Sequence, residues 1–174
     1  MEKILLKIVE CVTDGNKELM EEMEGCISNT MNYYKSHQEE FESRGIEEDE
    51  VEEGEMEEDE IQWIALVDIL IKGGYVTECD WKVEKEDFLY NINNLNKLKS
   101  KGLKAEDKWL DEDGEITEWL EILDKKWEKE GIVMSAFDID SDSYVLFPCE
   151  TDKFEQLKDW AEEDGYRIEY GKEM

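Results

Sequence analysis

Residues 132–148, "IVMSAFDIDSDSYVLFP", decide the fold. "IVMSAFDI" is apolar on both faces, "DSDS" has the composition of a turn, and "YVLF" resumes an apolar strand that Pro148 is expected to end. Two such runs around such a turn predict a β-hairpin. Downstream, residues 151–164 form a helix burying Phe154, Leu157 and Ala161, Gly165 caps it, and "YRIEY" alternates Tyr166, Ile168 and Tyr170 as a last half-buried strand. Upstream, "YVTECDW" at 75–81 has the period of a strand, with Tyr75, Thr77, Cys79 and Trp81 on one side. Two helices separate it from the hairpin. One spans about 84–101 on Phe88, Ile92, Leu95 and Leu98, and the other uses Ile116, Trp119, Leu120, Leu123 and Trp127.

The order from residue 75 onward is therefore β-α-α-β-β-α-β, the pattern of a ferredoxin-like sheet. The expected class is α+β, with N-terminal helices packed on one face of a small, mostly antiparallel four-stranded sheet. In the N-terminal part, "MEKILLKIVECV" reads as a short amphipathic helix. Leu19, Met23, Ile27, Thr30, Met31, Tyr34 and Phe41 predict one long helix over 16–43. "IQWIALVDILI" at 61–71 reads as a core helix stopped by Gly73-Gly74, with Asp68 its only charge and expected to face solvent. Between these lie residues 42–60, with twelve acidic residues in nineteen, too many like charges to bury much surface. The expectation is N-terminal helices at 1–43, a mobile acidic linker or solvated, fraying helix at 44–60, and an α+β part at 61–174, within one compact domain.

Charge narrows the function classes. Fifty acidic residues against twenty basic ones give a formal charge of −30, which repels nucleic-acid phosphate and anionic membranes. Without residues 42–60 the balance is still −19 (38 acidic, 19 basic), so the folded part is acidic too. A field of this sign attracts a basic protein partner. Neither nucleic acid nor a membrane is expected to bind. Cys11, Cys26, Cys79 and Cys149 are widely spaced with no CxxC, and His37 is the one histidine, so zinc spacing is missing and the thiols read as reduced and buried. No apolar run approaches the ~20 residues of a membrane span, and a cytoplasmic location is the default.

Three aspartates at alternate positions raise the question of a metal. Asp138, Asp140 and Asp142 match positions 1, 3 and 5 of an EF-hand loop, but Ser143 stands where the loop needs glycine and Cys149 where it needs a bidentate glutamate. "DEDGEI" at 111–116 fails in the same way, with Trp109 and Leu120 at the ligand positions, and reads as the start of the next helix. "FDID" resembles the metal-binding strand of diguanylate cyclases, and Asp138 and Asp140 could share Mg²⁺ on one side of a strand. A turn follows at once, however, where those enzymes have a helix, and no Gly-rich phosphate cradle is present. Asp138 is the one aspartate placed on a strand body rather than in the turn. His37 reads as a surface histidine, with no nucleophile elbow nearby.

At "DWK" (Asp80, Trp81, Lys82) and at "DIDSDSYVLF" (138–147) the chain resembles an uncharacterised bacterial domain family with an Asp-Trp-Lys segment and an Asp-Ser-Asp-Ser-Tyr hairpin. The likeness spans about 61–170. It implies an intracellular bacterial protein and supplies no catalytic residue. Trp81 is expected in the core at a strand end, or else as an exposed anchor between Asp80 and Lys82.

The expected function is a non-enzymatic acidic interaction module, in its sharpest form an immunity or inhibitor protein masking a basic toxin or nuclease. Asp80, Trp81, Lys82, Asp140, Asp142 and Tyr144 would touch the partner, and no cofactor is expected. The alternative is a Mg²⁺-dependent phosphoryl-transfer enzyme on Asp138 and Asp140, with Asp80 as a further ligand.

Overall fold

The computed structural model describes residues 2–174, and among them every side chain except those of Glu2, Lys3 and Glu52. Met1, the first residue of the expected N-terminal helix, lies outside the described residues. Four strands, β1 (Thr77–Asp80), β2 (Ile132–Phe137), β3 (Ser143–Glu150) and β4 (Ile168–Tyr170), form one antiparallel sheet in the order β1-β3-β2-β4. The class is α+β, as the residues predict. The hairpin pairs Ile132 with Glu150 through to Phe137 with Val145.

The last strand departs from a ferredoxin-like sheet, which returns it to the side of the first. Here β4 pairs with β2, Phe137 facing Ile168. The two crossovers, β1 to β2 and β3 to β4, thus move the same way across the sheet while leaving strands that point in opposite directions. Crossovers of one hand must then pass over opposite faces. On one face α7 (Lys85–Asn94), α8 (Asn96–Lys101) and α9 (Ile116–Trp127) pack Phe88, Leu98, Trp119 and Leu123 against Cys79, Met134, Ala136 and Leu146. On the other, α10 (Thr151–Glu163) packs Phe154 and Leu157 against Phe137, Phe147, Cys149 and Ile168. The sheet lies between two helical layers, so all six residues of β2 are buried.

The N-terminal helices share the face of α10. Leu5, Ile8 and Val12 of α1 (Glu2–Thr13), Leu19, Met23 and Cys26 of α2 (Lys17–Ser28), and α6 (Glu58–Lys72), buried from Ile61 to Leu70 except at Asp68, join that core. The predicted helix over 16–43 is three helices: α2, α3 (Thr30–Ser36) and α4 (Gln38–Ser43). Asn29, at φ −156°, leaves the helix and its side chain accepts the Asn32 N–H at 3.1 Å. An asparagine that can satisfy a free amide restarts a helix as readily as it continues one. The helix predicted over 84–101 breaks at Leu95, because Asn96 donates its N–H to Gly74 O (2.9 Å) and its Nδ2 to Gly73 O (2.7 Å). Gly74, at φ +74°, both stops α6 and receives this contact, and a Cβ there would meet Asn96 Nδ2 at 3.0 Å.

Residues 44–60 are in part helical. They contain α5 (Glu48–Glu52) and the first turn of α6, each opened by a reciprocal capping box, Glu47 with Glu50 and Glu57 with Glu60. Acids concentrate at helix N-termini, where the helix dipole favours negative charge, and Val51 and Met56 reach the core. Pro148 does not end β3, which runs on to Glu150. Pairing with β1 stops at Leu146, so at Pro148 the strand has an open side, where proline is tolerated. All four cysteines are free, and burial pushes the Cys26 and Cys149 thiols up to about 12. Among the described residues no helix is long and apolar enough to cross a membrane.

Candidate functional site

The hairpin turn begins two residues earlier than the apolar pattern predicts. β2 ends at Phe137, so Asp138 is the first residue of the turn and not part of a strand body. Its Oδ1 accepts the Asp140 N–H at 3.0 Å, and this lets Asp140 take a left-handed φ of +55°. Ser141 Oγ accepts the Ser143 N–H at 3.2 Å. Asp138 also donates its N–H to Arg167 O (2.9 Å), accepts Trp63 Nε1–H on its carbonyl (2.8 Å), and holds Arg167 Nη1 3.4 Å from Oδ2. Turn, α6 and the segment leading into β4 are joined through this one aspartate.

The "DWK" segment leaves β1 by the same chemistry. Asp80 Oδ1 accepts the Lys82 N–H at 2.8 Å and Asp80 O the Val83 N–H at 2.9 Å. That turn throws Trp81 outward: it is 57% exposed, with Lys82 Nζ 4.3 Å from its ring centroid. The expectation of a core tryptophan is corrected, because the apolar positions of β1 end at Cys79 and the turn points the next side chain away from the sheet.

Strand register then brings the two motifs together. Asp80 faces Ser143 and Cys79 faces Tyr144, so Asp80, Trp81 and Lys82 stand at the same end of the sheet as Asp140, Asp142 and Tyr144. Asp140 and Asp142 are exposed and Tyr144 is half-buried. Among the described residues no three His, Cys, Asp or Glu side chains converge as a metal would require.

A groove of about 1330 Å³ opens between the hairpin turn and the α3–α6 wall. It is lined by Arg44, whose Nε donates to Asp68 Oδ1 at 2.9 Å, whose Nη2 contacts the same oxygen, and whose Nη1 lies 2.9 Å from Glu78 Oε2. Asp68, expected to face solvent, is instead a half-buried partner of this guanidinium. Burial pushes its carboxyl above the ordinary range and Arg44 only partly offsets that. The sequence carries a signal for the pair that composition hides: Arg44 is the one basic residue in the acidic run 42–60, and Asp68 the one charge in the apolar run 61–71. Trp63 forms the far wall, stacked on Tyr166 with ring centroids 4.4 Å apart. His37, in the same groove, stacks on Tyr33 at 4.0 Å with Nδ1 2.9 Å from Tyr33 O.

No curated protein and no solved structure matches the chain. The sequence profile of a domain of unknown function, DUF6630, matches residues 4–171. The kinship expected from "DWK" and the hairpin, with an uncharacterised family over 61–170, therefore extends through the N-terminal helices. That agrees with their packing on the sheet face they share with α10. The chain belongs to the DUF6630 family, a domain of unknown function.

Proposed function

We propose that the protein is a non-enzymatic interaction module that binds a basic protein, acting in its sharpest form as an immunity or inhibitor protein that masks a basic toxin or nuclease. The observation that supports it is an exposed Trp81 held at one end of the sheet with Asp80, Asp140 and Asp142, on a chain of formal charge −30. An aromatic anchor rimmed by charge is the kind of surface that dominates binding energy, and the surrounding field speeds encounter with an oppositely charged partner. The reading is tested by exposing immobilised parent and Trp81→Ala protein to host lysate at low and high salt. A basic protein captured by the parent, lost at high salt and lost with Trp81→Ala, is expected. Equal capture by both forms, or no basic protein, sinks the idea.

Mg²⁺-dependent phosphoryl transfer on Asp138 and Asp140 draws no support from the geometry. One oxygen of Asp138 holds the Asp140 amide and the other faces the Arg167 guanidinium, while Asp80 holds the Lys82 amide. A cation would compete with all three.

A further inference from the structure

β1 is an edge of the sheet. Its four residues pair with β3 on one side only. In an antiparallel ladder alternate residues turn N–H and C=O away from their partner strand, so half of the backbone groups of β1 face outward. Among the described residues the Asp80 carbonyl takes the Val83 amide, and no other group bonds the backbone of β1 from that side. An uncovered edge is a template for another strand unless something blocks it.

The side chains along this edge select what can pair. Asp80 is exposed at its end beside the acidic hairpin turn, while Glu78, two residues back, already holds Arg44 Nη1 at 2.9 Å. A second copy of the chain would set carboxylates against carboxylates, and like charges directly opposite are destabilising. An extended segment with lysine or arginine facing Asp80 and the hairpin turn meets the complementary charge. Trp81 closes the edge with an accessible ring that already carries one cation, Lys82. A guanidinium from an incoming strand can stack there in the same way.

We propose that the basic partner docks by strand addition: an extended Lys/Arg-bearing segment pairs with Thr77–Asp80 and ends against Trp81. This rests on the basic-partner reading and adds the mode of recognition, in which main-chain bonds contribute affinity and alternate side chains specificity.

The test uses the full chain and two synthetic peptides, an acetylated and amidated Arg-Val-Lys-Val-Arg-Val-Lys heptamer and the same heptamer N-methylated at every residue, so that neither of its edges can donate. The two carry equal charge, and only the first can complete a ladder. Calorimetric titration at low salt is expected to show the unmethylated peptide binding about tenfold or more tightly, a difference of one or two hydrogen bonds. Amide hydrogen exchange within Thr77–Asp80 slows on its binding, and Trp81→Ala weakens it about tenfold. Equal binding of both peptides, or binding without slower exchange in β1, overturns strand addition and leaves the charge-based reading standing. No binding of the unmethylated peptide also overturns strand addition. The lysate capture above decides separately whether a basic partner exists.

Discussion

The ammonium of Lys97 lies 2.8 Å from Glu150 Oε2 and 3.3 Å from Asp14 Oδ1, with its side chain only 2% exposed. This contact ties α8 to the junction of β3 with α10 and to the turn after α1. Glu150 also faces Lys101 at 3.3 Å and Lys153 at 3.5 Å. A buried charge is tolerated only when paired, and here the pairing joins the two helical layers around the end of the central strand.

Replacing Lys97 by methionine keeps its packing and removes its charge, leaving Glu150 without its closest cation. Breaking a buried pair from one side costs about 3–5 kcal/mol. Urea denaturation is expected to show a loss of that order for Lys97→Met. A loss below about 1 kcal/mol would mean the pair behaves as a surface one.

The same network sets a pH dependence. Burial alone would raise the Glu150 carboxyl, but Lys97, Lys101 and Lys153 overrule it and hold it at about 2 against an ordinary 4.5. A depressed carboxylate contributes stability that is fully present above the unfolded value and is lost as pH falls through the folded one, so the loss falls between pH 4.5 and about 2. Asp68 and Asp124, both raised by burial, act with the opposite sign and favour the fold on mild acidification. Chemical denaturation across this range should show Glu150→Gln with a flatter acid limb than the parent. An identical limb refutes the assignment.

Arg44 is expected to couple to both of its partners. Double-mutant cycles of Arg44→Ala with Asp68→Ala and with Glu78→Ala should return interaction energies of about 0.5–3 kcal/mol. The Asp68 value should be the larger, because two guanidinium nitrogens meet that carboxylate and one meets Glu78. Additivity for Asp68 would contradict the geometry.

Ser135 sits fully buried in β2 between the two layers, and its hydroxyl has no partner among the described residues. An unsatisfied buried hydroxyl costs about 1–3 kcal/mol. Ser135→Ala should therefore leave thermal stability unchanged or raise it. A clear fall in Tm would point to a bond the hydroxyl makes in solution.

Trp81→Ala should change stability by no more than about 0.5 kcal/mol, since its ring packs on Lys82 rather than the core. Asp138→Ala, which removes the acceptor for the Asp140 amide and the Arg167 partner together, should cost more. Thermal melts of the two variants side by side check the order.

Local pattern determined the elements whose cause is local. The apolar run of β2, the turn residues after it, the 3.6-residue period of Ile116, Trp119, Leu120 and Leu123, and Gly73-Gly74 as the end of α6 are all legible residue by residue. So is the acidic surface, since charge is a sum over residues. Three kinds of feature are not. The breaks at Asn29 and Leu95 exist because a side chain found a backbone partner, for Leu95 just past the end of α6, and helical periodicity runs through both without a gap. The inward turn of Asp68 depends on Arg44, 24 residues away. The outward turn of Trp81 depends on where β1 stops. Above all, the meeting of "DWK" with the hairpin turn is a matter of strand register, Asp80 opposite Ser143, and the side of the sheet taken by β4 and α10 is a matter of crossover hand. Sequence by itself determined which segments fold and what charge they carry. Only the tertiary structure decided which of them face one another, because pairing across a sheet is set by packing between segments distant in the chain.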